Sequence, residues 1–109
     1  MENDIWSEIQ LRFDHLDYAL KEVGGRGAVF AEAESNYRQA LALRILELRE
    51  EGLPVTITPD VARGTEEIAL LKKKRDCAEA LYKAAAESIN VNKLRIKILE
   101  AQMQREWNN

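Results

Sequence analysis

Residues 65–107 read TEEIALLKKKRDCAEALYKAAAESINVNKLRIKILEAQMQREW, and this stretch decides the fold. It contains no proline and no glycine. Its apolar side chains recur at alternating steps of three and four, at Ile68, Leu71, Ala78, Tyr82, Ala85, Ile89, Ile96, Leu99 and Met103. That spacing is a heptad pattern and predicts one long helix, roughly 65 Å at 1.5 Å per residue. Because such a helix cannot bury its own apolar face, it needs a partner from this chain or from another copy.

The first half of the chain predicts two further helices. Helix 4–23 carries its apolar face at Ile5, Ile9, Phe13, Leu16, Leu20 and Val23. Gly24, Gly25 and Gly27 then favour an interruption, because glycine weakens helices. Helix 28–51 resumes the pattern and ends at Gly52, with Pro54 just beyond it.

Residues 52–64 form the predicted loop before the long helix 65–107. The β-branched run 55–57 favours an extended conformation. Thr58, followed by Pro59 and Asp60, predicts a capped helical turn. Thr65 is expected to cap the long helix, with two glutamates in its first turn.

These lengths predict a single all-α domain over residues 1–109. The two shorter helices together match the long one, which favours a long antiparallel helical hairpin, coiled-coil-like, with a glycine-hinged first arm. In that hairpin Trp6 and Trp107 meet and pack, whereas exposed tryptophans would indicate an interaction hot spot. The alternative is a compact three-helix bundle in which the first helix folds back at the glycines.

A second apolar stripe on the long helix predicts a homo-oligomer. The stripe comprises Leu70, Cys77, Leu81, Ala84, Val91, Ile98 and Ala101. The residues expected to form the seam between copies are Leu70, Leu81, Val91, Asn92 and Ile98. Asn92 either fixes the register of that seam or faces solvent, and Arg75 either snorkels or pairs with an acid of the first helix.

Charge and cysteine content set bounds on function. The net charge is −3 with a single cysteine, which excludes a disulfide framework and fits a reducing cytoplasm. No apolar run is long enough for a membrane span, and the acidic N-terminus is unlike a secretory signal. Residues 1–36 hold eight acids and three bases, whereas residues 68–109 hold nine bases and five acids. The acidic and basic regions are therefore expected to lie near one another, which weakens the case for nucleic-acid binding.

The sequence predicts no catalysis, no cofactor and no metal site. His15 is flanked by Asp14 and Asp17, a pattern more typical of a solvated helix face than of a set of metal ligands. Cys77 has no histidine at helical spacing and is interpreted as a small core residue. Phosphate-binding loops and nucleophile motifs are absent from the sequence.

The loop before the long helix is the candidate contact site. Its proposed contact residues are Thr58, Asp60, Arg63, Thr65 and Lys72. Free N–H groups at the start of a helix favour an anion, so a phosphate, a nucleotide or an acidic protein surface would suit this position. Glu66 and Glu67 weigh against an anion because they already occupy that end of the helix.

The stretches SNYRQALALRILELREEGLPVTITPDVARG (35–64) and RDCAEALYKAAAESINVNKLRIKILEAQMQREW (75–107) resemble small helical proteins of bacterial phages and prophages. The resemblance covers about residues 35–107 and carries no site residues with it. It implies a cytoplasmic accessory protein that binds a host or phage protein, for instance as an inhibitor of a defence factor or nuclease. The alternatives are an oligomeric sponge for an anionic nucleotide and a nucleic-acid-binding accessory protein.

Overall fold

A computed structural model describes residues 2–108 and places them in three helices. Helix α1 spans Glu2–Glu50, α2 spans Thr58–Gly64 and α3 spans Glu66–Asn108. No β-strand occurs between residues 2 and 108. The prediction of an all-helical chain is confirmed, and the order of helix, loop and helix is consistent with a helical hairpin.

The predicted division of the first half into two helices is not observed. Helix α1 continues through Gly24, Gly25 and Gly27 without a break. Glycine lowers helix propensity by about 1 kcal/mol relative to alanine, and packing of the flanking segments outweighs that cost here. A hinge at this position stays a prediction.

The chain divides into two compact units. Unit 1 combines the described residues up to Arg26 with those from Tyr82 onward, and unit 2 comprises Gly27–Leu81. Segments of α1 and α3 run antiparallel within unit 2, because Arg44 meets Thr65 whereas Glu34 meets Arg75. In unit 1 the buried residues are Ile5, Ile9, Ala19, Ala85, Asn92 and Ile96.

The predicted seam of α3 is confirmed along its length. Ile68, Ala78, Ala85 and Ile96 are buried, and the remaining apolar seam positions are half-buried. Arg75 and Asn92 also fall on the seam, half-buried and buried respectively. The strict alternation of three and four therefore identified the packed face of this helix.

The predicted face of α1 is wrong at two positions. Phe13 and Leu20 are exposed, whereas Ala19 is buried and Arg12 is half-buried. At 100° per residue, Phe13 lies roughly 80° around the helix from Ile5, and a step of seven from Ile5 returns to within about 20°. A helix that packs along a long neighbour buries positions seven residues apart, even where the adjacent residue has a larger apolar side chain.

The predicted seam between copies falls on more than one face of α3. Leu70, Leu81, Val91 and Ile98 are exposed in this single chain. Asn92 is buried instead, and its amide donates to the Ser88 carbonyl at 2.9 Å and to the Ser88 hydroxyl at 3.3 Å. The structure therefore separates Asn92 from the exposed positions and places it on the packed face within unit 1.

Candidate interaction site

The turn after α1 is built by a glycine. Gly52 has φ +93°, in the left-handed region. Its N–H donates to Arg49 O at 3.0 Å, and the Leu53 N–H donates to Leu48 O at 3.1 Å. This pair of hydrogen bonds is a Schellman motif. Such motifs usually place two apolar residues in contact, and the corresponding positions here are Leu48 and Leu53. Helix α1 ends at Glu50, and the predicted stop at Gly52 coincides with this turn.

The Pro54 carbonyl organises the following turn. It accepts hydrogen bonds from the Ile57 N–H at 3.3 Å, the Thr58 N–H at 3.2 Å and the Thr58 hydroxyl at 2.7 Å. Residues 55–57 therefore form a turn, and the predicted extended conformation is wrong. Three hydrogen bonds to one carbonyl therefore hold this turn together.

Thr58 has a structural role in place of the predicted contact role. Its residue is only 1% exposed, so it offers no surface to a partner. The N-cap position of α2 is Ile57, and the predicted cap at Thr58 is wrong by one residue. Pro59 does lie in the first turn of α2, with Asp60 as its acidic residue, as expected for these residue types.

Thr65 joins three elements. Its hydroxyl donates to Val61 O in α2 at 3.3 Å and accepts a bond from Arg44 Nε of α1 at 3.4 Å. Its carbonyl accepts the first backbone bond of α3, from the Ala69 N–H at 2.8 Å. Thr65 therefore fixes the start of α3 within unit 2.

The turn that follows Pro54 and the adjoining helix α2 together present three β-branched apolar side chains to solvent. Val55 is 60% exposed, Ile57 46% and Val61 43%. We call these three residues the loop patch. Because apolar side chains gain free energy when removed from water, an ordered group of them at the surface is a candidate contact for another protein.

A basic depression lies in the same unit. It has a volume of about 420 Å³, and its cationic lining residues are Arg63, Lys72 and Lys73. Cys77 also lines it and is exposed, so its interpretation as a core residue is wrong. Arg63 and Lys72 are thus brought to one place, whereas Thr58 and Thr65 serve the backbone.

Acidic neighbours partly neutralise this depression. Lys72 Nζ lies 3.0 Å from Asp76 Oδ2, and Arg75 Nη2 lies 2.8 Å from Asp76 Oδ1. Hydrogen bonds hold the pKa of Asp76 below its ordinary value, the one from Lys72 more strongly than the one from Arg75. Arg63 approaches Asp60 at 3.6 Å, an exposed pair of small energetic value. The depression is therefore less cationic than its lysines and arginine suggest.

Arg75 connects the two long helices within unit 2. Its Nη1 lies 3.3 Å from Glu34 Oε2, and its guanidinium lies 4.9 Å from the centre of the Tyr37 ring. Hydrogen bonds from Arg38 and Arg75 lower the pKa of Glu34. Pairing of Arg75 with an acid of the first predicted helix, 4–23, was expected, and that prediction is wrong because the acid is Glu34 of the predicted second helix.

Sequence reasoning missed the loop patch. The signal was present, because Val55, Ile57 and Val61 are apolar residues in a short segment that lacks a heptad. The prediction instead emphasised the polar and charged side chains of the same loop, of which Thr58 is buried.

The terminal tryptophans and the histidine are placed as follows. Trp6 and Trp107 are both more than half exposed, so neither indole ring is buried. His15 lines an open groove on unit 1. Within residues 2–108, no group of three or more His, Cys, Asp or Glu residues is arranged to hold a metal ion. None of the helices described combines the length and apolarity needed to cross a membrane.

Comparisons with protein-family models, curated proteins and solved structures found no match to this chain.

Proposed function

We propose that this chain is a non-enzymatic helical interaction protein that binds another protein and occludes or scaffolds it. The loop patch is the observation that carries this proposal, because two apolar side chains on the hydrogen-bonded turn and one on α2 are exposed. Contacts of this kind are energetically useful when the presenting segment is already ordered, since less conformational entropy is lost on binding.

The cations beside the depression indicate the chemistry of the partner. Arg63 and Lys73 are exposed in the same unit as the loop patch. A partner that offers an apolar cleft with an acidic rim would match both features, because complementary charge directs encounter and orientation. The resemblance to phage proteins suggests a host or phage protein, met in the cytoplasm, as that partner.

The test is partner capture with a matched control. The full chain is immobilised, incubated with host-cell extract, and the retained proteins are identified by mass spectrometry. The double variant Val55→Asp/Ile57→Asp places two negative charges in the loop patch, whereas Leu43→Asp places one negative charge on a comparably exposed apolar residue of the same unit. We expect one protein to be retained by the wild type and by Leu43→Asp and lost with the double variant. Equal retention by all three proteins would count against the loop patch.

A second candidate function is a sponge for an anionic nucleotide. The basic depression favours it, because Arg63, Lys72 and Lys73 line one volume of about 420 Å³. The competing carboxylates Asp60 and Asp76 weigh against it. Thermal stabilisation by nucleotides, absent with inorganic phosphate and lost in Arg63→Ala, would select this function over the first.

A further inference from the structure

The open side of α3 in unit 1 carries a second pattern of alternating steps of three and four. We call its six residues the α3 strip: Ala84, Glu87, Val91, Leu94, Ile98 and Ala101. All six are exposed, and all but the glutamate are apolar. Leu94 is 59% and Ile98 is 55% exposed, whereas Ile96 between them is 6% exposed. At 100° per residue, Leu94 and Ile98 each lie about 160° around the helix from Ile96, so the α3 strip faces away from the packed seam.

The α3 strip is only two positions wide. Between residues 83 and 104, the positions that flank it are polar or charged. On one side they are Ser88, Arg95 and Gln102, and on the other side they are Lys83, Asn90, Lys97 and Gln104. A narrow apolar strip at heptad spacing is typical of a coiled-coil contact, whereas a helix that lies on a membrane carries a broader apolar face. The α3 strip therefore predicts a helix as its partner, along roughly 25 Å from its first residue to its last.

The charges beside the α3 strip indicate the chemistry of that helix. Arg95 and Lys97 lie on opposite sides of the segment that contains Leu94 and Ile98, and both cations are exposed. Among the residues that the structure describes, neither of them forms an ion pair. In coiled coils the charges at the flanking positions select the partner by pairing with opposite charges. A helix with acidic residues at its own flanking positions would therefore match this surface.

Two acids share this surface without pairing with Arg95. Glu8 of α1 lines a depression together with Arg12 and Arg95. Glu8 is already paired, because its Oε1 lies 2.9 Å from Arg12 Nη2. Glu87 belongs to the α3 strip but precedes Arg95 by eight residues, roughly 12 Å along the helix. The middle of the α3 strip is therefore bordered by cations that have no acidic partner within the chain.

A second copy of the α3 strip would not supply those acids. The positions that flank the strip contain neither aspartate nor glutamate. If two α3 strips packed on each other, Arg95 and Lys97 of both copies would remain without acidic partners. Charge complementarity therefore favours a helix of a different protein over a second α3 strip.

We propose that the α3 strip binds an acidic amphipathic helix of another protein. That helix has apolar residues at heptad positions a and d and glutamate or aspartate at positions e and g. Leu94 and Ile98 pack against its apolar residues, while Arg95 and Lys97 each pair with one of its carboxylates. The site is independent of the loop patch, which belongs to unit 2.

The test is the binding of two synthetic peptides to the full chain. Each peptide has three heptads with leucine at a and d and alanine or glutamine at b, c and f, and the two differ only in carrying glutamate or lysine at e and g. Fluorescence anisotropy at physiological ionic strength gives the dissociation constants. We expect the acidic peptide to bind the wild type at least about 10-fold more tightly than the basic peptide.

A double variant tests the apolar part of the contact. In Leu94→Asp/Ile98→Asp, two apolar contacts are lost and two negative charges face the acidic peptide, so we expect its dissociation constant to rise by about 100-fold or more. The matched control is Leu11→Asp/Leu20→Asp, which places two negative charges on α1 residues of unit 1 that are 44% and 53% exposed. We expect the control to bind the acidic peptide within about two-fold of the wild type. An equal loss in both double variants would overturn the proposal.

A second double variant keeps the proposal testable if Leu94→Asp/Ile98→Asp folds poorly. Arg95→Glu/Lys97→Glu leaves the α3 strip unchanged and reverses both flanking charges. We expect this variant to prefer the basic peptide, with a far-ultraviolet circular dichroism spectrum that matches that of the wild type. An unchanged preference for the acidic peptide would contradict the pairing of Arg95 and Lys97 with carboxylates.

Other occupants of the α3 strip would give different results. Absence of acidic-peptide binding up to about 1 mM, or equal binding of both peptides, would overturn the proposal. So would stronger binding to vesicles of phosphatidylserine and phosphatidylcholine, or a wild-type dimer in sedimentation velocity that Leu94→Asp/Ile98→Asp converts to a monomer. The loop-patch variant Val55→Asp/Ile57→Asp should bind the acidic peptide as the wild type does, so failure of this site and failure of the loop patch can be distinguished.

Discussion

The two units hold α1 against α3 by different means. In unit 2, Arg75 of α3 bonds to Glu34 of α1 and lies over the ring of Tyr37. In unit 1, the buried polar residue of α3 is Asn92, and it bonds to Ser88 of its own helix. A polar side chain that bonds to the other helix fixes which residues of the two helices face each other. A polar side chain that bonds within its own helix does not, so there the alignment of the helices depends on apolar packing.

Ion pairs within α1 occur in both units, so they do not distinguish one unit from the other. Glu8–Arg12 at 2.9 Å and Glu22–Arg26 at 2.8 Å lie within the part of α1 that belongs to unit 1. Pairs of this kind support the helix by a few tenths of a kcal/mol each and do not select a neighbour. Unit 1 therefore relies on an apolar seam, and the loop side of the molecule, in unit 2, adds polar contacts that fix pairing.

The largest expected effect comes from one buried isoleucine in each unit. Ile9 of unit 1 and Ile68 of unit 2 are each 2% exposed. We expect Ile9→Ala and Ile68→Ala each to lower the free energy of unfolding by about 2–5 kcal/mol, through lost burial and the cavity left behind. Urea titration measures the loss, and hydrogen exchange shows whether each change loosens only its own unit. A loss below about 1 kcal/mol would contradict the assignment of that residue to a packed core.

A smaller effect is expected from the contact that distinguishes unit 2. In Arg75→Ala the cation–π contact with Tyr37 and the pair with Glu34 are lost, while Glu34 keeps Arg38 and Asp76 keeps Lys72. Because no carboxylate is left alone, we expect a loss of about 1–2 kcal/mol. Arg75→Lys, which keeps the charge without the planar guanidinium, serves as the control. Its free energy of unfolding should lie between that of the wild type and that of Arg75→Ala. If Arg75→Ala were as stable as the wild type, apolar packing alone would be sufficient to hold α1 against α3 in both units.

The smallest expected effect is a gain in stability at the glycines of α1. A Cβ added at Gly24 or Gly25 meets nothing within 4 Å. Both residues lie inside a helix, so we expect Gly24→Ala and Gly25→Ala each to stabilise the chain by about 0.5–1 kcal/mol. Thermal unfolding measures the gain. The matched control is Gly52→Ala, which should destabilise because Gly52 has φ +93°. A loss of stability at Gly24 would indicate that the helix is interrupted there in solution.

The difference between the two long helices also shows what sequence could predict. On α3 the apolar residues themselves alternate at three and four, so pattern and packing coincide from Ile68 to Met103. On α1 the most apolar choice, Phe13 and Leu20, is not the packed one, because the seven-residue repeat that a neighbouring helix imposes selects Arg12 and Ala19. Single-helix patterns carry no information about that constraint.

The structure brings together only part of the predicted contact set. Arg63 and Lys72 line one depression as exposed cations. Thr58 is a predicted contact residue, yet its hydroxyl donates a hydrogen bond to the Pro54 carbonyl. Small polar residues in loops often bond to nearby backbone, and their sequence does not show whether a hydroxyl remains available to a partner.

The equal spacing of contacts along the two arms of unit 2 constrains how its length can change. Arg44 faces Thr65 and Glu34 faces Arg75, so ten residues on α1 correspond to ten residues on α3. Removing seven residues from one arm alone would preserve its apolar face but displace its partners by about 10 Å. Insertions and deletions in this region would therefore be tolerated as matched pairs of heptads, one on each side of the Gly52 turn.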